Sequence, residues 1–235
     1  MEIERVILDT VDSTNSFAKR EGKSFSKEAL TVITAEEQTG GRGRLKRPWH
    51  SPRSKNLLVT FTFFLKSPVP DLPRIGQVLS LSVYDALREL QFQPQIKWPN
   101  DLLLHKKKVA GILTEIVEES ELRQVVLGVG LNVNVDEAWL KGLDQPATSL
   151  FMESKKTWDR EDLLARLQNR FLGRLEKFQL HGFAPFEQEF LSRVAYLGET
   201  IRYGNEEGVF ESIASDGSLC LRLKDGSLKK ILSAE

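Results

Sequence analysis

The sequence predicts an α+β protein: a mixed, mostly antiparallel sheet with helices packed on it, followed by a small C-terminal SH3-like β-barrel. Three observations carry that expectation. Residues 56–65 (NLLVTFTFFL) string β-branched and aromatic side chains together without a break, the pattern of a buried strand. Residues 74–90 place Ile75, Val78, Leu79, Val83, Ala86, Leu87 and Leu90 at helical spacing, so one face can lie on such a sheet. Beyond Arg193 come short alternating stretches punctuated by Gly204-Asn205, Ser215-Asp216-Gly217 and Lys224-Asp225-Gly226, which suit hairpin turns. The expected division is 1–192 for the larger domain and 193–235 for the barrel.

In chain order, 5–9 reads as a strand, and Asp12-Ser13-Thr14-Asn15 supplies capping residues for a helix over 16–21. A strand turning into a helix there presents backbone amides and short hydroxyls, suited to a polar or anionic ligand as well as to plain capping. Residues 30–35 form a buried strand that delivers Glu36-Glu37-Gln38-Thr39 into a loop. Pro68, Pro70 and Pro73 stop the sheet after the apolar strand. In the next apolar stretch, 96–104, Pro99 cannot donate to a ladder, so the strand is expected to kink with Asn100 and Asp101 at a site. His105-Lys106-Lys107 makes a turn, 108–117 returns as a strand and 123–135 pairs next, with Gly128 and Gly130 marking close approach of a ligand or backbone. Ala147-Thr148-Ser149-Leu150 leads to Trp158, Asp159 caps a helix reaching about 180, and a short helix covers 183–192.

With 235 residues, 40% of them apolar, the chain can bury a substantial core. It carries 33 acidic and 33 basic residues, a formal charge of zero, whereas a dedicated nucleic-acid binder carries a basic excess. The basic residues concentrate at 42–55 and 105–108, which fits a local anion site. Cys220 is the one cysteine, so no internal disulfide forms, and its alternating surroundings make it a small apolar residue. Met1-Glu2-Ile3-Glu4-Arg5 shows no secretory pattern, and no apolar run approaches the ~18 residues that span a bilayer. A cytoplasmic protein with no membrane partner is expected.

The stretch 40–52 (GGRGRLKRPWHSP) concentrates glycine, proline and cationic side chains, so it must be a loop whose backbone can approach something closely. Guanidinium forks and backbone amides match a phosphate or a carboxylate. Taken alone, the same loop fits a solvated basic surface or a nucleic-acid patch equally well. Lys108 likewise reads either as a solvated turn lysine or as an ammonium aimed from a strand into a site.

Four motifs stand in order: DSTN at 12–15, QTGGRGRLKRPWHSP at 38–52, KWPNDLL at 97–103 and KKVAGILTE at 107–115. In this order and at these separations they resemble the catalytic region of biotin protein ligases (biotin–[acetyl-CoA-carboxylase] ligases). GVGLNVN at 128–134, ATSL at 147–150 and the barrel-like tail extend the resemblance over nearly the whole chain. It implies that family's class II synthetase-like fold and a two-step reaction. Biotin and ATP, accompanied by Mg²⁺, give biotinyl-5′-AMP, and a lysine of a biotin carboxyl carrier protein then takes the biotin.

Carried over by position, Ser13, Thr14, Asn15 and Gln38 resemble the biotin head-group contacts. Gly41, Arg42, Gly43 and Arg44 resemble the loop that folds over the ligand, with Arg44 at the carboxyl–phosphate region and Arg47 steadying the loop. Trp49 reads as an apolar wall or lid, or equally as a core tryptophan. Lys108 would aim at the carboxylate and α-phosphate, and Gly111 would let the ligand lie on the backbone. Asn100, Asp101 and Asn132 take the nucleotide side, while Lys97 and Trp98 shape the site. No dedicated metal cage is implied. Relatives usually have glycine at Lys46 and often at Ser54, and a Cβ there narrows the loop's conformations. The chain opens at the first catalytic strand, so sequence-specific DNA binding is not expected; a homodimer stays open. Two other readings remain, a lipoate or octanoate ligase or transferase of the same fold and a non-catalytic binder of RNA or another anion.

Overall fold

In the computed structural model, residues 1–66, 69, 71–119 and 121–232 are described; the expected sheet-stopping Pro68 and Pro70 lie outside them. The chain runs β1 (Glu2–Val11), α1 (Thr14–Arg20), β2 (Ala29–Gln38), β3 (Asn56–Lys66), α2 (Ile75–Glu89), β4 (Gln95–Lys97), β5 (Asp101–Leu104), β6 (Lys107–Glu119) and β7 (Leu122–Asn132). After these come α3 (Glu137–Leu140), α4 (Leu150–Ser154), α5 (Arg160–His181), α6 (Glu187–Arg193), β8 (Thr200–Tyr203), β9 (Glu206–Ile213), β10 (Leu219–Arg222) and β11 (Leu228–Ile231). Strands β1 to β7 form one sheet in the order β1-β2-β3-β7-β6-β5-β4, with β1 and β2 parallel and every other pair antiparallel. The mixed, mostly antiparallel sheet of the sequence reading is what the molecule has.

The central strand β3 explains how the two faces differ. Its 59, 61 and 63 positions (Val59, Phe61, Phe63) belong to the main core with α2 and α5, where the Phe61 and Phe171 rings lie 5.1 Å apart. Period-two alternation sends Thr60 and Thr62 to the opposite face. There Thr62 Oγ1 accepts from Gln124 Nε2 at 3.1 Å, and the same amide nitrogen donates to Ala18 O of α1 at 2.9 Å. One face is therefore a thick apolar layer, and the other is thinner, with these polar groups beside a small apolar cluster of Ala18, Ile33 and Val126 under α1. Helix α5 begins where expected, with Asp159 accepting from Glu161 N and Asp162 N.

Three local expectations need correction. Helix α1 starts at Thr14, so Ser13 caps it while Thr14 and Asn15 sit inside its first turn. Strand β2 continues through Gln38, because Glu37 and Gln38 still pair with Thr10 and Val11 of β1. Residues 96–104 are not one kinked strand: β4 ends at Lys97, the chain reverses through Trp98-Pro99-Asn100 with a cis Trp98–Pro99 bond, and Lys97 pairs with Asp101. Pro99 lacks the ladder donor, and it falls in the turn between the two strands.

Strands β8 to β11 make a separate antiparallel sheet in the order β11-β10-β9-β8. It packs on the main body, since Phe210, Leu219 and Leu221 belong to the same apolar cluster as α2. Its 215–217 turn is gripped from the main body: Arg74 Nη1 donates to Ser215 O at 3.2 Å and Trp98 Nε1 to Gly217 O at 2.9 Å. Cys220 is buried, as its apolar setting implied. Among the described residues, no helix is long and apolar enough to cross a membrane.

Candidate active site

The α1 face of the sheet carries the site. Ser13 Oγ caps α1 from 3.5 Å by accepting from Ser16 N. Thr14 directs both its N–H and its hydroxyl to Gln38 Oε1, at 2.8 and 3.0 Å. Thr60 Oγ1 lies 2.8 Å from Thr14 Oγ1 and 2.7 Å from Asn15 Oδ1, and Asn15 Nδ2 donates to Glu115 Oε2 at 2.9 Å. Ser13, Thr14 and Asn15 are all buried, so these bonds fix the directions of their polar atoms. Beneath them, a Cβ on Gly128 would collide with the Asn15 amide. The interior glycine thus admits a side chain from α1.

The glycine-arginine loop closes on itself. Trp49 N donates to Gly41 O at 2.9 Å and Gly43 N to Arg47 O at 2.8 Å, so 41–49 is a narrow flap with a single helical turn at its tip. Leu45 and Lys46 at the tip have φ of 54° and 57°, and Ser54, beyond the flap and just before β3, has φ of 58°. The two positions where the family resemblance implies glycine are thus both left-handed, and Lys46 and Ser54 hold that conformation despite a Cβ. Gly41 is held close to its neighbour, since a Cβ there would stand 2.7 Å from Trp49 O.

Trp49 folds under the flap onto the sheet. Gly111 of β6 and Gly130 of β7 are direct partners in register, and the indole lies over both. A Cβ on Gly130 would overlap the indole outright, and one on Gly111 would stand 3.2 Å from both Trp49 Cζ3 and Lys108 Nζ. Trp49 Nε1 is buried and finds no hydrogen-bond partner among the described residues. A buried donor left unpaired is costly, which marks this spot as one where a ligand acceptor fits.

Lys108 enters from β6, and its Nζ lies 2.7 Å from Asp101 Oδ1, each side chain 17% exposed. Its backbone is clamped on the outer side, donating to Pro146 O at 3.0 Å and accepting from Thr148 N at 2.9 Å. Asn100 Nδ2 donates to Ile112 O at 2.6 Å, which ties the 98–100 turn to β6.

These pieces surround one cleft of about 450 Å³. Ser13, Thr14, Asn15 and Gln38 line one end; Arg42, Gly43, Arg44 and Arg47 line the flap side; Trp49, Asn100, Asp101, Lys108 and Gly111 complete it. Arg42, Arg44, Arg47, Lys97 and Lys108 bring positive charge there against the single carboxylate of Asp101. Asn132 lies outside this cleft and lines an adjoining one of about 330 Å³ with Arg47, Trp49 and Lys108. There its Nδ2 donates to Thr148 O at 3.1 Å and its Oδ1 faces Asn56 Nδ2 at 3.3 Å. Gly41 does not line the cleft; its carbonyl accepts from Trp49 N at the base of the flap.

Residues 7–132 match the model of the Biotin/lipoate A/B protein ligase family. The chain belongs to the biotin/lipoate A/B protein ligase family. Among relatives of this ligase, the biotin–[acetyl-CoA-carboxylase] ligase of Paracoccus denitrificans is 34% identical over 227 residues, covering 92% of this chain and 93% of the relative. The bifunctional ligase/repressor BirA of Bacillus subtilis (strain 168) is 31% identical over 97% of this chain and 71% of its own length. A biotin protein ligase from Aquifex aeolicus, solved in complex with biotin and ATP, aligns with a TM-score of 0.80 at 32% identity over 99% of this ligase and 97% of that chain.

Sequence reasoning about the ligase passed over four residues that the fold brings in. Thr60 was hidden in an apolar run, although Thr60 and Thr62, two positions apart, signal a partly polar face. Glu115 ends the KKVAGILTE motif and received no role, yet it holds Asn15, Lys19 and the flap. Tyr203 and Gly204, from the β8–β9 hairpin, reach the cleft wall, and no local signal in the sequence points there.

Proposed function

We propose that this ligase activates biotin with ATP and transfers it to a lysine of a biotin carboxyl carrier domain, that of acetyl-CoA carboxylase by analogy with the Paracoccus relative's name. A carboxylate oxygen of biotin attacks the α-phosphorus, pyrophosphate leaves, and biotinyl-5′-AMP results. The neutral ε-amine of the carrier lysine then attacks the acyl carbon, AMP leaves, and an amide forms with loss of one proton.

The observation that carries this reading is the cleft where an Asp101-held ammonium and the arginine flap gather about the Trp49 indole, which Gly111 and Gly130 let lie against the sheet. Two anions must meet there, and fixed positive charge in a partly dry site offsets their repulsion. Lys108 and Arg44 are assigned to that meeting point, Ser13, Thr14, Asn15 and Gln38 to the biotin head group, and Arg47, Trp49, Asn100, Asp101 and Asn132 to the nucleotide. Mg²⁺ is assigned to arrive with ATP and neutralise its phosphates. The flap would keep water from the adenylate until the carrier docks. We keep 1–192 and 193–235 as the proposed domains, supported by the separate second sheet, and place the reaction in the cytoplasm, where ATP and the carrier meet.

The test is a mass measurement. Incubation with biotin, ATP, Mg²⁺ and an acceptor carrier domain should make the carrier heavier by one biotinyl group. A carrier modified by lipoate and not by biotin would overturn the reading in favour of the lipoate branch of the family.

A further inference from the structure

We propose that Glu115 is a positioning residue for biotin activation, orienting Asn15 and tethering the arginine flap through Arg42. This rests on the ligase reading above. Glu115 lies on β6 four residues beyond Gly111, outside the cleft itself, and its carboxylate is 24% exposed. Three groups converge on it: Oε2 accepts from Asn15 Nδ2 at 2.9 Å, Oε1 from Lys19 Nζ at 2.6 Å, and Oε1 stands 3.9 Å from Arg42 Nη2. Arg42 also donates to Ser16 Oγ at 2.7 Å, so the flap leans on α1 through the same corner.

An amide side chain can point either way, and its surroundings choose. A carboxylate only accepts, so Glu115 pulls the Nδ2 end of Asn15 toward itself and Leu113 O, which lies 3.4 Å from that nitrogen. The Oδ1 end is left for Thr60. Gly128 beneath leaves no room for a Cβ, so the Asn15 amide is fixed in place and in sense. The same carboxylate is the one acid near both Lys19 and Arg42 among the ion pairs described. Without it, Lys19 and Arg42 would face each other as like charges, and the flap would lose its hold on α1.

A purely structural ion pair would change stability and leave biotin affinity alone. The positioning role makes the opposite demand. In Glu115→Gln the side chain can donate as well as accept, so Asn15 is no longer held in one sense and the charge on Arg42 is unopposed. The KM for biotin should rise roughly tenfold, the scale of one hydrogen bond to a charged group. The KM for ATP should stay near wild type, and biotinyl-5′-AMP should leave the enzyme several times faster. Glu115→Asp, which keeps the charge on a shorter arm, should recover part of the affinity. Lys19→Met removes the pair partner that touches neither Asn15 nor the flap, and should leave biotin affinity unchanged.

Calorimetric titration of biotin onto each folded variant needs no turnover, so it separates this proposal from the ligase activity. Wild-type binding without pyrophosphate release would overturn the activity reading and leave the contact in force. Glu115→Gln and Glu115→Asp both binding biotin as wild type, with wild-type adenylate retention, would overturn the positioning role. So would a loss of affinity in Lys19→Met equal to that in Glu115→Gln.

Discussion

Lys108 and Asp101 meet across the β5–β6 pair, Nζ to Oδ1 at 2.7 Å, because the ladder slips by one residue between them. Asp101 pairs with Gly111 and Leu102 with Ala110, but Leu103 pairs with Lys108, which leaves Val109 as the extra residue of a bulge. Val109 and Ala110 are both buried in the core layer, and Lys108 joins Gly111 on the site face. The bulge therefore decides which side of the sheet the ammonium occupies.

Lys108→Ala should lower the rate of biotin-dependent pyrophosphate release by about 10²–10³-fold, the usual loss for a group that stabilises developing charge. Asp101→Asn keeps the geometry and removes the charge that orients the ammonium; it should cost less, roughly tenfold. Equal losses in both variants would mean that the carboxylate acts on the reactants and not through Lys108.

Gly130→Ala places a methyl group inside the volume of the Trp49 indole. The ring must move off the sheet, at a cost of about 1–3 kcal/mol typical of overpacking. Tryptophan emission should shift to the red against wild type, and adenylate formation should slow. An unchanged spectrum would show that the indole does not rest there in solution.

Lys46→Gly relieves a left-handed residue at the flap tip and should stabilise the fold by up to about 1 kcal/mol. Ser54→Gly relieves the same conformation but removes the bond from Ser54 Oγ to Glu36 Oε2, at 2.6 Å. That bond is the largest reason the Glu36 carboxyl sits below its ordinary value, with Arg160 adding to it against burial. Ser54→Gly should therefore be near neutral. Denaturant midpoints of the two variants compare the effects directly.

Acid should loosen the junction of α2, α5 and α6. Glu189 accepts from Arg174 at 2.6 and 2.7 Å and pairs with Arg193 at 2.7 Å. The Arg174 hydrogen bonds, against some cost of burial, hold its carboxyl below the ordinary 4.5. Its folded value is lowered, so its stabilisation is complete above about pH 4.5 and disappears as the pH falls through the folded value. Glu189→Gln should cost about 1.5–3 kcal/mol at pH 7 and progressively less in acid. A constant difference in unfolding free energy from pH 7 to pH 3 would refute this.

Much was legible in the residues alone. The strand at β3, the amphipathic helices α2 and α5, the Asp159 cap and the hairpin turns beyond Arg193 each follow from local spacing or turn chemistry, which neighbours in sequence suffice to specify. The ordered motifs likewise named most of the side chains that gather at the cleft, and two positions they singled out, Lys46 and Ser54, are left-handed. Tertiary structure alone decided the rest. Alternation along 107–111 puts Lys108 and Gly111 on opposite faces, and only pairing with β5 inserts the bulge that brings them together. Glu115, Thr60 and Tyr203 reach the site or its supports from strands distant in sequence, and no local period encodes which strands become neighbours. Trp49 lies on the sheet because Gly111 and Gly130 fall opposite each other in register, a coincidence of two strands that neither strand specifies by itself.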